Sequence, residues 1–177
     1  MKDIRPDLRA CTLCAQRFDA TATAHQPNPV VWFQPGAQLL IASQAPGMKV
    51  HRANTPFWDA SGGRLRHWLG LDENAFHDRS RVAIVPMAFC FPGYDAKGSD
   101  LPPPPLCRAT WHARVMGALP DLRLKVVIGG YAQRFHYGAR SGVTEMVRGW
   151  RDHAPAGFPL PHPWHLKMGQ MWSSPWG

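Results

Sequence analysis

Every cysteine of this chain belongs to one pattern, C-x2-C-x75-C-x16-C, with thiols at Cys11, Cys14, Cys90 and Cys107. If the four converge, an N-terminal loop, the end of a strand and the start of a helix have to meet. The pattern reads as one metal site. A two-residue gap lets Cys11 and Cys14 face a common centre, Cys90 follows a strand-like apolar run, and Cys107 opens a helix behind four prolines. Unrelated buried thiols are the plainer reading, because a C-x2-C pair alone is a weak signal. A disulfide is not expected, since "MKDIRPDLRA" carries charge without the apolar stretch of an export signal.

At 177 residues and 45% hydrophobic content the chain is long enough for one domain with a sizeable core, spanning residues 1–177. A cysteine-bearing segment of about residues 1–36 is expected to pack on that domain. No apolar run approaches the ~18–20 residues of a membrane span, so a soluble, cytoplasmic monomer is expected, with no membrane partner. Twenty Lys and Arg against 12 Asp and Glu give a net charge of +8, which suits a polyanion such as DNA. Because the basic residues are scattered, a merely solvated surface fits the charge as well.

Apolar strand-like runs alternate with helical patterns. "AQLLIAS" (37–43), "RVAIVPMAF" (81–89), "LKVVIGG" (124–130) and the start of "GFPLPHP" (157–163) read as four strands. Between them, "GRLRHWLGL" places Leu65, Trp68 and Leu69 on one helical face. Residues 106–119 do the same for Trp111, Val115 and Leu119, and shorter helices are predicted over 131–136 and 142–150. Near-continuous apolar strands separated by helices predict an α/β fold, a three-layer α/β/α arrangement around a mostly parallel four-stranded sheet. In such folds ligands bind where strand ends meet, here at Gln44, Pro86 and His162.

Those loops carry a resemblance. In order, "IASQAPG", "TPFWDASGGRLRHWL", "FCFPG" with "LPPPPLC", and "PLPHPW" resemble the uracil-DNA glycosylase superfamily, most closely its iron-sulfur type, family four. The family's motifs are G-E-A-P-G, P-F-x-G-x-x-G, four cluster-binding cysteines and H-P-S. The resemblance runs from Cys11 to His162 and implies a 4Fe-4S cluster on Cys11, Cys14, Cys90 and Cys107, with a structural zinc as the alternative that four thiolates also suit. It further implies a DNA glycosylase that flips out a deaminated or damaged base, uracil or a relative, and hydrolyses its N-glycosidic bond. Ala45, Pro46, Gly47, Phe57 and Pro86 would surround the base, with Phe57 stacking on its face. Ser43, Trp164, His165 and Lys167 would meet the DNA strand.

The chemistry can be followed from the residues. Glycosidic cleavage leaves the sugar cation-like and the base anionic, so the site needs donors aimed at the leaving base. His162, in the H-P position of the last motif, supplies one, whether neutral or protonated. Two departures stand out. Gln44 replaces the family's glutamate, and an amide orients water without taking its proton; Ala45 stands where other uracil enzymes carry an aspartate. General-base help is worth about 100- to 10,000-fold, and His165 or Asp59 are the groups able to substitute. Pro86 stands where the family carries a uracil-reading asparagine, and proline has neither side-chain donor nor N–H. A degenerate, non-catalytic module that binds damaged DNA is therefore the alternative reading.

Overall fold

A computed structural model describes residues 3–163 of the chain. Its centre is a sheet of four strands, β1 (Leu39–Ser43), β2 (Val82–Pro86), β3 (Leu124–Ile128) and β4 (Gly157–Leu160), in the order β2-β1-β3-β4. All pairings are parallel, with Ile41 opposite both Ile84 and Val126, and Val127 opposite Pro159. The predicted α/β class thus holds, and the sheet is parallel throughout its four strands.

Parallel strands require crossovers, and helices supply them. Between β1 and β2 come α3 (Met48–Ala53), α4 (Ala60–Leu69) and α5 (Glu73–His77); between β2 and β3 comes α6 (Pro105–Gly117); α7 (Gly129–Tyr137) and α8 (Val143–Arg148) lead to β4. Alternate strand residues point to opposite faces, which divides the core in two. On one face Leu40, Ala42, Ala83, Val85 and Val127 pack with Trp111, Val115 and Ala132 of α6 and α7. On the other, Ile41, Val82, Ile84, Val126 and Ile128 pack with Leu65 and Phe76, with Trp68 and Leu69 at the edge. The apolar faces expected of "GRLRHWLGL" and of residues 106–119 are the ones buried. Each such aliphatic side chain contributes about 1.5–3 kcal/mol of transfer free energy.

The N-terminal segment, expected to be loop-rich, contains two short helices, α1 (Arg5–Arg9) and α2 (Ala15–Asp19). Ile4, Leu8, Val31 and Phe33 enter the first core half, and Trp32 bridges antiparallel to Ile84 at the sheet edge. Neither α3 nor α5 was predicted. Helices of five or six residues show too little periodicity to read and are held by packing and caps, such as the Asp72 carboxylate accepting from Ala75 N at 2.7 Å. The second strand ends at Pro86, short of the predicted residue 89, because the chain then bends toward the cysteines. Among the described residues no helix is long and apolar enough to cross a membrane.

Candidate active site

A cavity of about 100 Å³, open at its mouth, lies at the carboxyl ends of the strands. Its walls come from Ser43 at the end of β1, Ala45, Pro46 and Gly47 in the next loop, Val50 of α3, Pro56 and Phe57 ahead of α4, Ile84 and Pro86 of β2, and His162 beyond β4. Val30, Asp59, Ser61 and Asp100 complete it. Most of the predicted base-site residues therefore meet in one place. Gln44 is not among the lining residues, although it is half-buried beside them. Trp164, His165 and Lys167 lie outside the described residues.

Local structure explains why each wall stands where it does. The loop after β1 is held down by the next strand, with Met87 N donating to Ser43 O at 2.8 Å and Ala88 N to Gln44 O at 3.2 Å. The carbonyl of Pro86 accepts from Nε2 of His112, a fully buried histidine, at 2.8 Å. That bond fixes the protonated ring nitrogen as Nε2 and engages the Pro86 carbonyl, the one polar group that Pro86 carries, as an acceptor. Burial is the main reason the His112 pKa is lowered, so the ring is neutral.

Phe57 has φ of +55°, a left-handed conformation uncommon for a non-glycine residue. Its ring meets Phe76 edge-on with centroids 5.8 Å apart, while the residue also lines the cavity. Asp59 begins α4 as its N-cap, its Oδ1 accepting from Gly62 N at 3.1 Å and from the Ser61 hydroxyl. At the opposite wall, Gln133 Nε2 donates to Leu160 O at 2.9 Å and Val127 O at 3.3 Å, securing the end of β4. The Arg64 guanidinium donates to Pro163 O, so the His162 loop is tied on both sides of the histidine. Gln133 and Arg64 gave no sign of this role in sequence.

Asp100 was not anticipated either. It closes a small hairpin in which Tyr94 and Asp100 form an antiparallel bridge and Leu101 N donates to Gly93 O at 2.9 Å. Gly98 turns at φ +79°, and Asp95 Oδ1 accepts from Lys97 N and Ser99 N at 2.8 and 2.9 Å. Glycine, aspartate and serine announce a turn there, but nothing in the sequence says that it reaches the cavity.

The four cysteines line a second cavity, together with Leu8, Phe18, Phe89 and Trp111. All four carry free thiols. Burial and the neighbouring Cys11 and Cys14 push the Cys107 thiol up to about 11, and burial with Cys107 pushes Cys90 higher still. N–H donors point at three of the sulfurs, Trp111 Nε1 at Cys11 and Phe89 N at Cys107, each at 3.4 Å, and the Asn28 backbone at Cys90, the last two opposing the upward shifts. Among the described residues no group of three or more His, Cys, Asp or Glu is arranged to hold a metal ion. The donor set is nonetheless a chemically suitable one. It consists of four thiols facing one space, and N–H groups aimed at three of them would stabilise thiolates.

An all-parallel α/β sheet with a cavity at its strand ends, walled by a phenylalanine, three prolines and a histidine, has the arrangement in which open α/β sheets commonly carry their ligand sites. The family model of the uracil DNA glycosylase superfamily matches residues 30–176, and the chain belongs to that superfamily.

Proposed function

We propose that this protein is a DNA glycosylase that takes a flipped, deaminated or damaged base into the strand-end cavity and hydrolyses its bond to deoxyribose. The observation that carries this reading is the meeting of Phe57, Pro86, the 45–47 loop and His162 around one cavity. Phe57 offers a ring face for stacking, backbone and apolar walls enclose the base, and His162 donates to the charge that appears on it as the bond breaks. Ser43 and the loop that follows it approach the strand, and the excess of basic side chains, including exposed Lys49 and Arg52 on α3 beside the cavity, favours a phosphate backbone.

Pro86, with its carbonyl already engaged by His112, gives no paired hydrogen bonds to a uracil edge. The preferred base is accordingly one recognised by shape and stacking as much as by its hydrogen-bonding edge. We also propose that Cys11, Cys14, Cys90 and Cys107 hold a 4Fe-4S cluster. Its part is structural, fastening the N-terminal segment to the bend after β2 and the start of α6. A single zinc ion, which four thiolates also suit, is the alternative.

The test is a panel of single- and double-stranded oligonucleotides, each carrying one altered base and scored for abasic sites. Release of one or more bases is expected. Tight binding to abasic DNA with no release from any member of the panel would replace the enzyme by a damage-binding module.

A further inference from the structure

The loop after β1 brings no carboxylate to the cavity, since its lining residues there are Ala45, Pro46 and Gly47, and Gln44 does not line it. Two carboxylates reach the cavity from elsewhere, Asp59 and Asp100. They are not equivalent. Asp59 is engaged as the cap of α4, its Oδ1 accepting from Gly62 N and from the Ser61 hydroxyl, which turns the carboxylate toward the helix. Asp100 takes no side-chain hydrogen bond or ion pair among the described residues, yet its backbone is fixed by the Tyr94 bridge and by the Leu101-to-Gly93 hydrogen bond. It stands at the rim, open enough to meet water, on the hairpin formed by residues 94–100.

We infer that Asp100 is the general base of the reaction, taking over from a distant hairpin the task for which the β1 loop has no carboxylate. The inference rests on the glycosylase reading above. In the step, the Asp100 carboxylate accepts a proton from water as the water oxygen bonds to C1′ of the deoxyribose. The C1′–N bond breaks, and its electron pair leaves with the base, whose negative charge faces His162. The proton then passes to the base through solvent, so that base plus abasic sugar equals substrate plus one water.

Although Asp100 is exposed at the rim, desolvation by the cavity wall raises its pKa above the ordinary carboxylate value, in the direction that suits a base. A more basic carboxylate removes a proton from water more effectively. The other titratable or charged groups that face the cavity are Asp59 and His162, and those of the hairpin itself are Asp95 and Lys97.

The experiment compares wild type, D100N, D100E and D59N on the best substrate of the panel, by single-turnover base release across pH and by affinity for abasic DNA. D100N is expected to lose about 100- to 10,000-fold in rate while keeping its DNA affinity and melting temperature. The wild-type rate should rise with pH through the Asp100 pKa and lose that limb in D100N, with partial recovery of both in D100E. D59N should retain the limb. D100N that cleaves at the wild-type rate with the limb intact overturns the inference and leaves the glycosylase reading standing. D100N that loses rate only in proportion to DNA affinity or stability overturns it as well. Wild type that releases no base from the whole panel overturns both.

Discussion

A Cβ placed on Gly62 would stand 1.8 Å from the backbone carbonyl oxygen of Phe57. The first turn of α4 and the left-handed Phe57 thus touch backbone to backbone, and Gly62 is what allows this approach. In an exposed helix, glycine to alanine would gain about 1 kcal/mol. Here the clash involves rigid backbone and decides the sign. Gly62→Ala should destabilise the protein by about 1–3 kcal/mol, or several degrees in melting temperature. Base release should fall further than stability accounts for, because Phe57 must move. Calorimetry and single-turnover assays on the same preparation check both expectations.

His162 should matter far more to rate than Gln44. A donor to the departing base acts on charge absent from the ground state, so His162→Ala should slow release by about 100-fold or more with DNA affinity nearly unchanged. Gln44→Ala, altering a residue outside the cavity lining, should cost less than tenfold, by roughly the scale of a lost orienting contact. Full activity in His162→Ala would remove that residue from the mechanism without touching the fold.

Anaerobically purified protein should be brown, with visible thiolate-to-iron absorbance and about four irons per chain. Cys90→Ala should bleach it and lower the melting temperature, since a segment tied through the cluster would then be held by packing alone. One zinc per chain in colourless protein would replace the cluster; four reactive thiols with neither metal would remove the centre.

Stability should fall on acidification through a histidine that does not line the cavity. Burial, helped by His112 and Lys125, lowers the His136 pKa from 6.5 to about 4. Its Nε2 is buried without a hydrogen-bond partner among the described residues. Below pH 6.5 the unfolded chain takes up a proton that the folded ring refuses, so the stability present above 6.5 is lost progressively toward pH 4. Denaturant titrations at pH 7 and pH 5 should show a loss of up to a few kcal/mol. His136→Leu should reduce the difference, leaving the part due to His112, whose pKa is lowered in the same direction.

Affinity for undamaged duplex should fall linearly with salt on logarithmic axes, with a slope of about 0.9 for each phosphate neutralised. Absence of binding at low salt would leave the net charge of +8 as a matter of solubility.

The sequence by itself determined the sheet and the neighbourhood of the site. Runs such as "LLIAS" and "VAIVP" are buried on both faces and can be little other than parallel strands covered by helices, the first inside the sheet and the second at its edge, and ligands in such sheets gather at strand ends. The motifs at those ends contain Phe57, Pro86 and His162, which line one cavity, and Cys11, Cys14, Cys90 and Cys107 line another. Tertiary structure alone decided the rest. The short helices α1, α2, α3 and α5 carry too few residues for a period and form because something packs on them. Gln44 stood out by its place in a motif, but the direction of a side chain in an irregular loop depends on the neighbouring backbone, here Met87 and Ala88 bonding back to residues 43 and 44. Asp100 lies 38 positions beyond Gly62 and 62 before His162, in a turn like many others. Only the folding of that hairpin over the strand ends brings its carboxylate to the cavity, and no local pattern encodes so distant a contact.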